Sequence, residues 1–344
     1  MPISVITLRR WSPARLLLAL AVSVAVWAIV AVGCFCVGST GEVGWPANHD
    51  VASFRVDVVL LSSLIGACLG AAGAVYQAVL RNPLADPSLL GVSSGAMLCA
   101  YVWRFPFAAI GAASVIGAMG QQAFAFAGAM GAVAVVLLLS TRWGRLNPVT
   151  LILVGVIVNA INGSIFLLLN ARFPEVTAGA GGALGFLVGG IQTNLATQQK
   201  WAGAIVAAGG WIVLMYLAGQ LNTASAGDAE AQALGVRIHR LRWIALIVAS
   251  IITAAAVSLS GPIGFIGLVC PHIARLIVGA DQRRLLPCAT ALGAALLCAA
   301  DAVTRLLAGQ RFANTQLPVG VLTALLGGPF FLMLLWRQRR SFEG

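Results

Sequence analysis

The sequence predicts an all-α polytopic membrane protein of about ten transmembrane helices. Three observations carry that prediction. Of the 344 residues, 60% are hydrophobic and only 9% are charged, and the mean hydropathy is +0.96. A soluble domain carries about 25% charged residues, so this chain cannot cover a surface facing water, and lipid must be its solvent. Its apolar residues also run continuously for about 20 positions at a time, enough for a helix to cross a hydrocarbon core about 30 Å thick. The strands of a membrane barrel would alternate instead. Lastly, the arginines gather in alternate loops, the asymmetry expected of a chain threaded through a membrane.

The formal net charge of +11 would suggest nucleic acid in a soluble protein. Here the loop arginines account for it, and no basic–aromatic patch accompanies them. Lipid is an expected partner and nucleic acid is not. The seven cysteines form no CxxC pair, and most sit inside apolar runs, where a thiol serves as a small apolar side chain.

Arg9, Arg10 and Arg15 precede the first apolar run, which is too long for a signal-peptide core and has no A-x-A-like site after it. It reads as a retained first span, 16–37. Span 2 (58–80) carries Gly66, Gly70 and Gly73 near one face, where Gly66-x-x-x-Gly70 permits close helix approach. A turn follows in which two prolines four apart break helix geometry, while Asn82, Asp86 and nearby serines can cap the flanking ends.

Spans 3 to 5 are read at 94–117, 121–140 and 148–170, with Arg104 an irregularity inside the third. The piece Gly182 to Ile191 is apolar but too short to cross, so a re-entrant or interfacial helix is expected. Spans 6 to 10 follow at 201–219, 243–260, 264–279 (kinked near Pro271), 285–307 and 318–336. This threading leaves both termini in the cytosol. Only Arg55, Arg104, Arg172, Lys200, Arg305 and Arg311 fall on the other side.

The longest polar interruption is 220–242. Asp228 and Glu230 stand there in a chain poor in acids. Ala229, Ala231, Ala233 and Leu234 favour helix, and Gly227 and Gly235 stand where such a helix would start and stop. The expectation is a short helical element in a cytosolic loop, flanked by Arg237, Arg240 and Arg242, that receives force from another protein. An ordinary basic loop is the alternative.

Catalytic machinery is missing from the sequence. Lys200 is its one lysine and lies in no P-loop, so ATP is not expected to bind here in that manner. His49, His239 and His272 are scattered and form no metal motif. His272 follows Pro271 within an apolar helix and reads as a structural histidine satisfying a freed carbonyl. Asp301 and Arg305, four apart, can pair on one helix face. The expectation is a transport subunit without a metal or cofactor of its own.

Three strings carry a family resemblance. Arg81-Asn82-Pro83-Leu84-Ala85-Asp86-Pro87-Ser88-Leu89-Leu90-Gly91 begins the first, which runs on to Ala96. Gly264-Phe265-Ile266-Gly267-Leu268-Val269-Cys270-Pro271-His272 is the second, and Leu317–Val321 with Gly327–Phe331 the third. In this order, over about 50–338, the chain resembles the FecCD-type permeases of bacterial ABC importers for iron–siderophore, haem and cobalamin.

The resemblance implies a cobalamin-importer-like permease fold in the inner membrane, with 1–344 as one transmembrane domain. It implies a second permease subunit, identical or homologous, two ATPase subunits that bind ATP and Mg, and a soluble solute-binding protein. It makes 220–242 the coupling loop, with Gly227, Asp228, Glu230, Leu234, Gly235, Arg237 and Arg240 as ATPase-coupling residues. Asn82, Pro83, Asp86, Pro87 and Gly91 become a cytosolic structural motif, and Pro271 and His272 a kink.

Arg55, Arg305 and Arg311 become the residues on which the binding protein docks. The family often has Arg-x-Pro-Arg before span 2, whereas this chain has Arg55-Val56-Asp57-Val58, and it lacks a tryptophan often found near Phe186–Gly190. The expected cargo is a metal chelate, iron–siderophore or haem, with cobalamin and a secondary transporter acting without an ATPase as alternatives.

Overall fold

The computed structural model describes residues 13–39, 41–105, 120–142, 145–174, 188–193, 195–311 and 317–340. Eleven α-helices are present among them. They are α1 (Pro13–Phe35), α2 (His49–Leu80), α3 (Val92–Trp103), α4 (Gly120–Ser140), α5 (Pro148–Arg172) and α6 (Thr197–Ala226), then α7 (Asp228–Ala233), α8 (Ile238–Ser260), α9 (Ile266–Val278), α10 (Gln282–Arg311) and α11 (Val319–Arg340). A short 3-10 turn, Pro87–Leu90, precedes α3. The described strands are two residues each, Thr141–Arg142 paired antiparallel with Arg145–Leu146 between α4 and α5. Seven helices are long and apolar enough to cross a membrane, and α3, α9 and α11 are shorter apolar helices that bring the set to ten.

Several spans differ from the sequence expectation, each for a local reason. α2 starts at His49, not at 58, because Asn48 caps it by accepting from the Val51 N–H at 2.9 Å. The polar first turns add a solvated extension to the lipid-crossing part. α6 likewise continues to Ala226, well past the apolar run, until the extended Gly227 breaks it. α3 ends at Trp103, with Arg104 as its C-cap. Pro106 follows shortly in the sequence, and a helix rarely survives into the residue before a proline. The rest of expected span 3 lies outside the described residues, as do Arg9, Arg10, most of the expected re-entrant piece and 312–316.

α2, α8 and α10 are largely buried, whereas α1 and α5 are mostly exposed. In lipid, no hydrophobic effect drives one apolar helix onto another, so close van der Waals approach must do it. Small residues make that approach possible. A Cβ on Gly66 would overlap the Gly293 carbonyl, and one on Gly70 the Ala289 carbonyl. The GxxxG of α2 thus meets a matching small pair, four apart, on the antiparallel α10. Gly95 of α3 and Gly128 of α4 touch each other in the same way. One continuous apolar core runs from Leu61 to Val319. All seven cysteines are free thiols, and five of them are buried.

Candidate functional site

The polar stretch 220–242 folds into a defined knob at the arginine-rich end of the bundle. Gly227 is extended (φ 161, ψ 157), and the Glu230 carboxylate folds over its α-carbon, so a side chain at 227 would collide with it. α7 then makes a turn and a half. Its end is a Schellman cap: Val236 N–H donates to the Ala231 carbonyl and Gly235 N–H to that of Gln232, both at 2.9 Å. This closure needs a left-handed residue, and Gly235 supplies it with φ 81. Ala231 is buried, whereas Leu234 is 74% exposed. Glu230, Gln232, Arg237, His239 and Arg240 surround Leu234 in sequence and are exposed as well. The element thus offers one apolar knob among charges.

Asp228 fixes this knob to the bundle. Its Oδ1 accepts from Arg242 of α8 at 2.9 Å and also from Arg81 at the end of α2. Arg81 Nη2 further donates to the Ala224 carbonyl at 2.6 Å, one of the last carbonyls of α6, where a cation complements the helix dipole. Asn222 ties in the turn before α10, donating to Asp281 at 2.6 Å and accepting from Gln282 N–H at 2.7 Å.

The first motif leaves α2 through Arg81, itself left-handed (φ 48). Asn82 Oδ1 accepts from Leu84 N–H at 3.0 Å, and Asp86 Oδ1 accepts from Ser88 N–H at 2.8 Å to cap the 3-10 turn that begins with Pro87. Pro83 lies half-buried between them. Gly91, at φ 81, ends that turn and starts α3. α5 holds the motif from outside: Asn159 donates to the Ser88 carbonyl at 3.1 Å, and Gly155 lets the Leu89 backbone press against the helix.

Asp86 Oδ2 is enclosed without a partner. Burial pushes this carboxyl above its ordinary range, and the bonds from Ser88 oppose the shift. With a raised folded-state value, the unfolded chain releases its proton first as pH rises, so this group lowers stability from the ordinary carboxylate range up through the folded value. Asp86→Asn keeps the capping oxygen and removes the charge. It is expected to flatten the melting temperature against pH across that window, measured in detergent beside the parent protein.

The three strings converge. Gly73 of α2 lies against the backbone of Gly267 in the second, and the Gly267 α-carbon faces Pro87 of the first. Phe265 is left-handed (φ 68) where α9 begins, and its ring fills the notch left by Gly327 of the third. Pro271 lies within α9, and the His272 ring meets Phe330 edge-on with centroids 5.8 Å apart. Gln77 of α2 donates to the Leu268 carbonyl and accepts from Arg275, each at 3.2 Å. Gly320 N–H donates to the Gly189 carbonyl at 2.8 Å, and Gly190 N–H to that of Ser260 at 2.9 Å. Among the described residues, no group of His, Cys, Asp or Glu could hold a metal ion.

At the opposite end, Arg55 is only 6% exposed. It turns inward and donates to the carbonyls of Phe35 at 3.2 Å and Gly44 at 2.6 Å. Arg305 pairs with Asp301 at 3.0 Å, the expected i, i+4 partner, and donates to the Val37 carbonyl at 2.5 Å. Both arginines therefore organise the loop after α1. Arg311 ends α10, and its side chain lies outside the described residues. Asp57, which departs from the family pattern, pairs with Lys200 at 2.7 Å. Arg55→Met would strand the Phe35 and Gly44 carbonyls at a cost of about 1–3 kcal/mol. The expected result is faster cleavage of 36–46 in limited proteolysis and a lower melting temperature.

A family model described as the FecCD transport family matches residues 15–337. The chain belongs to the FecCD transport family. Among FecCD relatives, the cobalamin import system permease of Halobacterium salinarum is 41% identical over 84% of this chain and 74% of its own length. The hemin transport system permease of Yersinia pestis is 36% identical over 89% of this chain and 88% of its own. The iron(3+)-hydroxamate import permease of Bacillus subtilis is 37% identical over 85% and 72%. A solved metal-chelate type ABC transporter in an inward-facing conformation matches with a TM-score of 0.76 at 27% identity, over 92% of this chain and 98% of that one. This FecCD chain is thus a multi-pass permease subunit of an ABC importer and not an enzyme, and importers of this family work with an ATPase and a binding protein.

The polar ties that hold this FecCD bundle together are largely ones that sequence reasoning missed. Gln77, Asn159 and Asn222 each carry side-chain bonds to a distant helix or turn. Single amides inside or beside apolar runs were the available signal, since an amide in lipid needs a partner.

Proposed function

We propose that this chain is the membrane-spanning half of an ATP-driven importer that moves a metal chelate, an iron–siderophore or haem, into the cytosol. Positive-inside asymmetry supports a cytosolic location for the arginine-rich end and both termini. The observation that carries the reading is α7: a capped knob with an exposed Leu234, pinned to the bundle through Asp228. Two ATPase subunits, which bind ATP and Mg, press on Gly227, Glu230, Leu234, Gly235, Arg237 and Arg240. A second permease subunit, identical or homologous, completes the path. The binding protein docks at the other end, where Arg55 and Arg305 hold the 35–44 loop. The chain acts as one domain over 1–344 and needs no cofactor of its own. A corrinoid is the second reading, favoured by the 41% identity to a cobalamin permease.

The test is reconstitution into vesicles with an ATPase and a binding protein as partners. Radiolabelled ferric hydroxamate, haemin and cyanocobalamin are offered separately. The expected result is accumulation of an iron chelate only with ATP and both partners. Accumulation driven by an ion gradient without the ATPase would replace this reading with a secondary transporter.

A further inference from the structure

Resting on the reading of α7 as the ATPase contact, we infer that Asp228 is the positioning residue that carries movement of α7 to α2 and the first motif. The chain itself joins α7 only to α6, through Gly227, and to α8, through the turn at Gly235. Both neighbours pack on α2, the most buried of the long helices: Tyr76 of α2 meets Ser250 of α8 at 2.6 Å, and Arg81 holds the Ala224 carbonyl of α6. Asp228 is the side chain of α7 that reaches α2 itself, because one carboxylate oxygen accepts from Arg242 of α8 and from Arg81 at the end of α2.

The Arg81 end of this link is built for transmission. Its guanidinium also holds the Ala224 carbonyl, so α2, α6 and α7 meet on one side chain. Its backbone is left-handed, a conformation that L side chains seldom adopt and that clusters at switch regions. Beyond it lies the turn whose Pro87 rests on Gly267 of α9, with Phe265 of that same string set into α11 at Gly327. A displacement of α7 that pulls on Arg81 therefore reaches α9 and α11 through the packed rings of Pro87 and Phe265. Asp228 and Arg81 are each 42% exposed, so solvent keeps the pair weak enough to be made and broken in a cycle.

The test uses the full complex in vesicles, with a benzophenone photo-crosslinking residue in place of Leu234. Asp228→Asn and Arg81→Met are compared with the parent, and Asp228→Glu and Arg81→Lys serve as conservative rescues. Crosslinking to the ATPase, ATP hydrolysis, melting temperature, and uptake of radiolabelled ferric hydroxamate, haemin and cyanocobalamin are all measured. For both disruptive variants, the expected result is unchanged crosslinking, hydrolysis and melting temperature, with at least a tenfold loss of uptake per ATP. The rescues recover most of that loss.

Parent-like uptake per ATP in Asp228→Asn overturns the inference. So does parent-like uptake in Arg81→Met alone, because the route would then run through Arg242 and α8. Loss of crosslinking or of melting temperature in Asp228→Asn overturns it too, reducing Asp228 to a structural part of the contact. Absence of crosslinking at position 234 with Asp228 intact instead removes the underlying contact reading, and the inference falls with it.

Discussion

Gly73→Leu is expected to leave no folded permease in the membrane. The Gly73 α-carbon faces backbone, the carbonyl of Gly267, so even a methyl group there would overlap atoms that cannot rotate away. Overpacking a core typically costs about 1–3 kcal/mol when side chains can yield. Here nothing yields, and relief requires α2 and α9 to part. Between helices in lipid, close packing is the main attraction, and a radial gap of about 0.5–1 Å forfeits a quarter to a half of each contact. Separation would also lift Gly267 from Pro87 and pull Gln77 from the Leu268 carbonyl. The measurement is the monodisperse fraction on gel filtration after detergent extraction. Gly131→Ala on α4, where nothing lies within 4 Å, is expected to match the parent. A well-folded Gly73→Leu protein would show that the crossing of the strings is not the structural centre.

What the sequence revealed and what it hid follows the range of each interaction. Gly235 was readable as a helix stop because the Schellman cap involves residues within five positions. The Asp301–Arg305 pair was readable because i, i+4 neighbours share a helix face. Gly66 and Gly70 signalled a close approach but could not say to what, since Gly293 and Ala289 lie on another helix. The same limit concealed the partners of Asp228 and of Lys200, with Arg81 147 residues from Asp228 and Asp57 143 from Lys200. It also concealed that the loop after α1 folds over Arg55 and uses its donors, since Phe35 lies 20 residues and Gly44 11 residues away. Helix ends at water were misjudged because hydropathy reports the lipid-crossing part alone, while caps such as Asn48 set where the helix starts.

Gly235→Pro is expected to abolish uptake while the ATPase partner continues to hydrolyse ATP. Two properties of Gly235 are needed at once. Its N–H donates to the Gln232 carbonyl at 2.9 Å, and its φ is 81. Proline has no N–H and holds φ near −65°, so it removes the donor and reverses the chain direction after α7. Leu234, next to it, would lose its position while the rest of the bundle stays packed, because nothing lies within 4 Å of where a side chain at 235 would stand. Intermediate substitutions separate the two properties. Gly235→Ala keeps the donor and pays only for the left-handed backbone, about 1–2 kcal/mol. Gly235→Asn keeps the donor and tolerates that conformation better. Uptake per ATP should therefore rank glycine and asparagine first, alanine lower and proline at background, with equal amounts of each variant in the membrane. That order tracks backbone geometry rather than side-chain size, since alanine is smaller than asparagine. Parent-like uptake in Gly235→Pro would mean that the capped shape of α7 plays no part in receiving force from the ATPase.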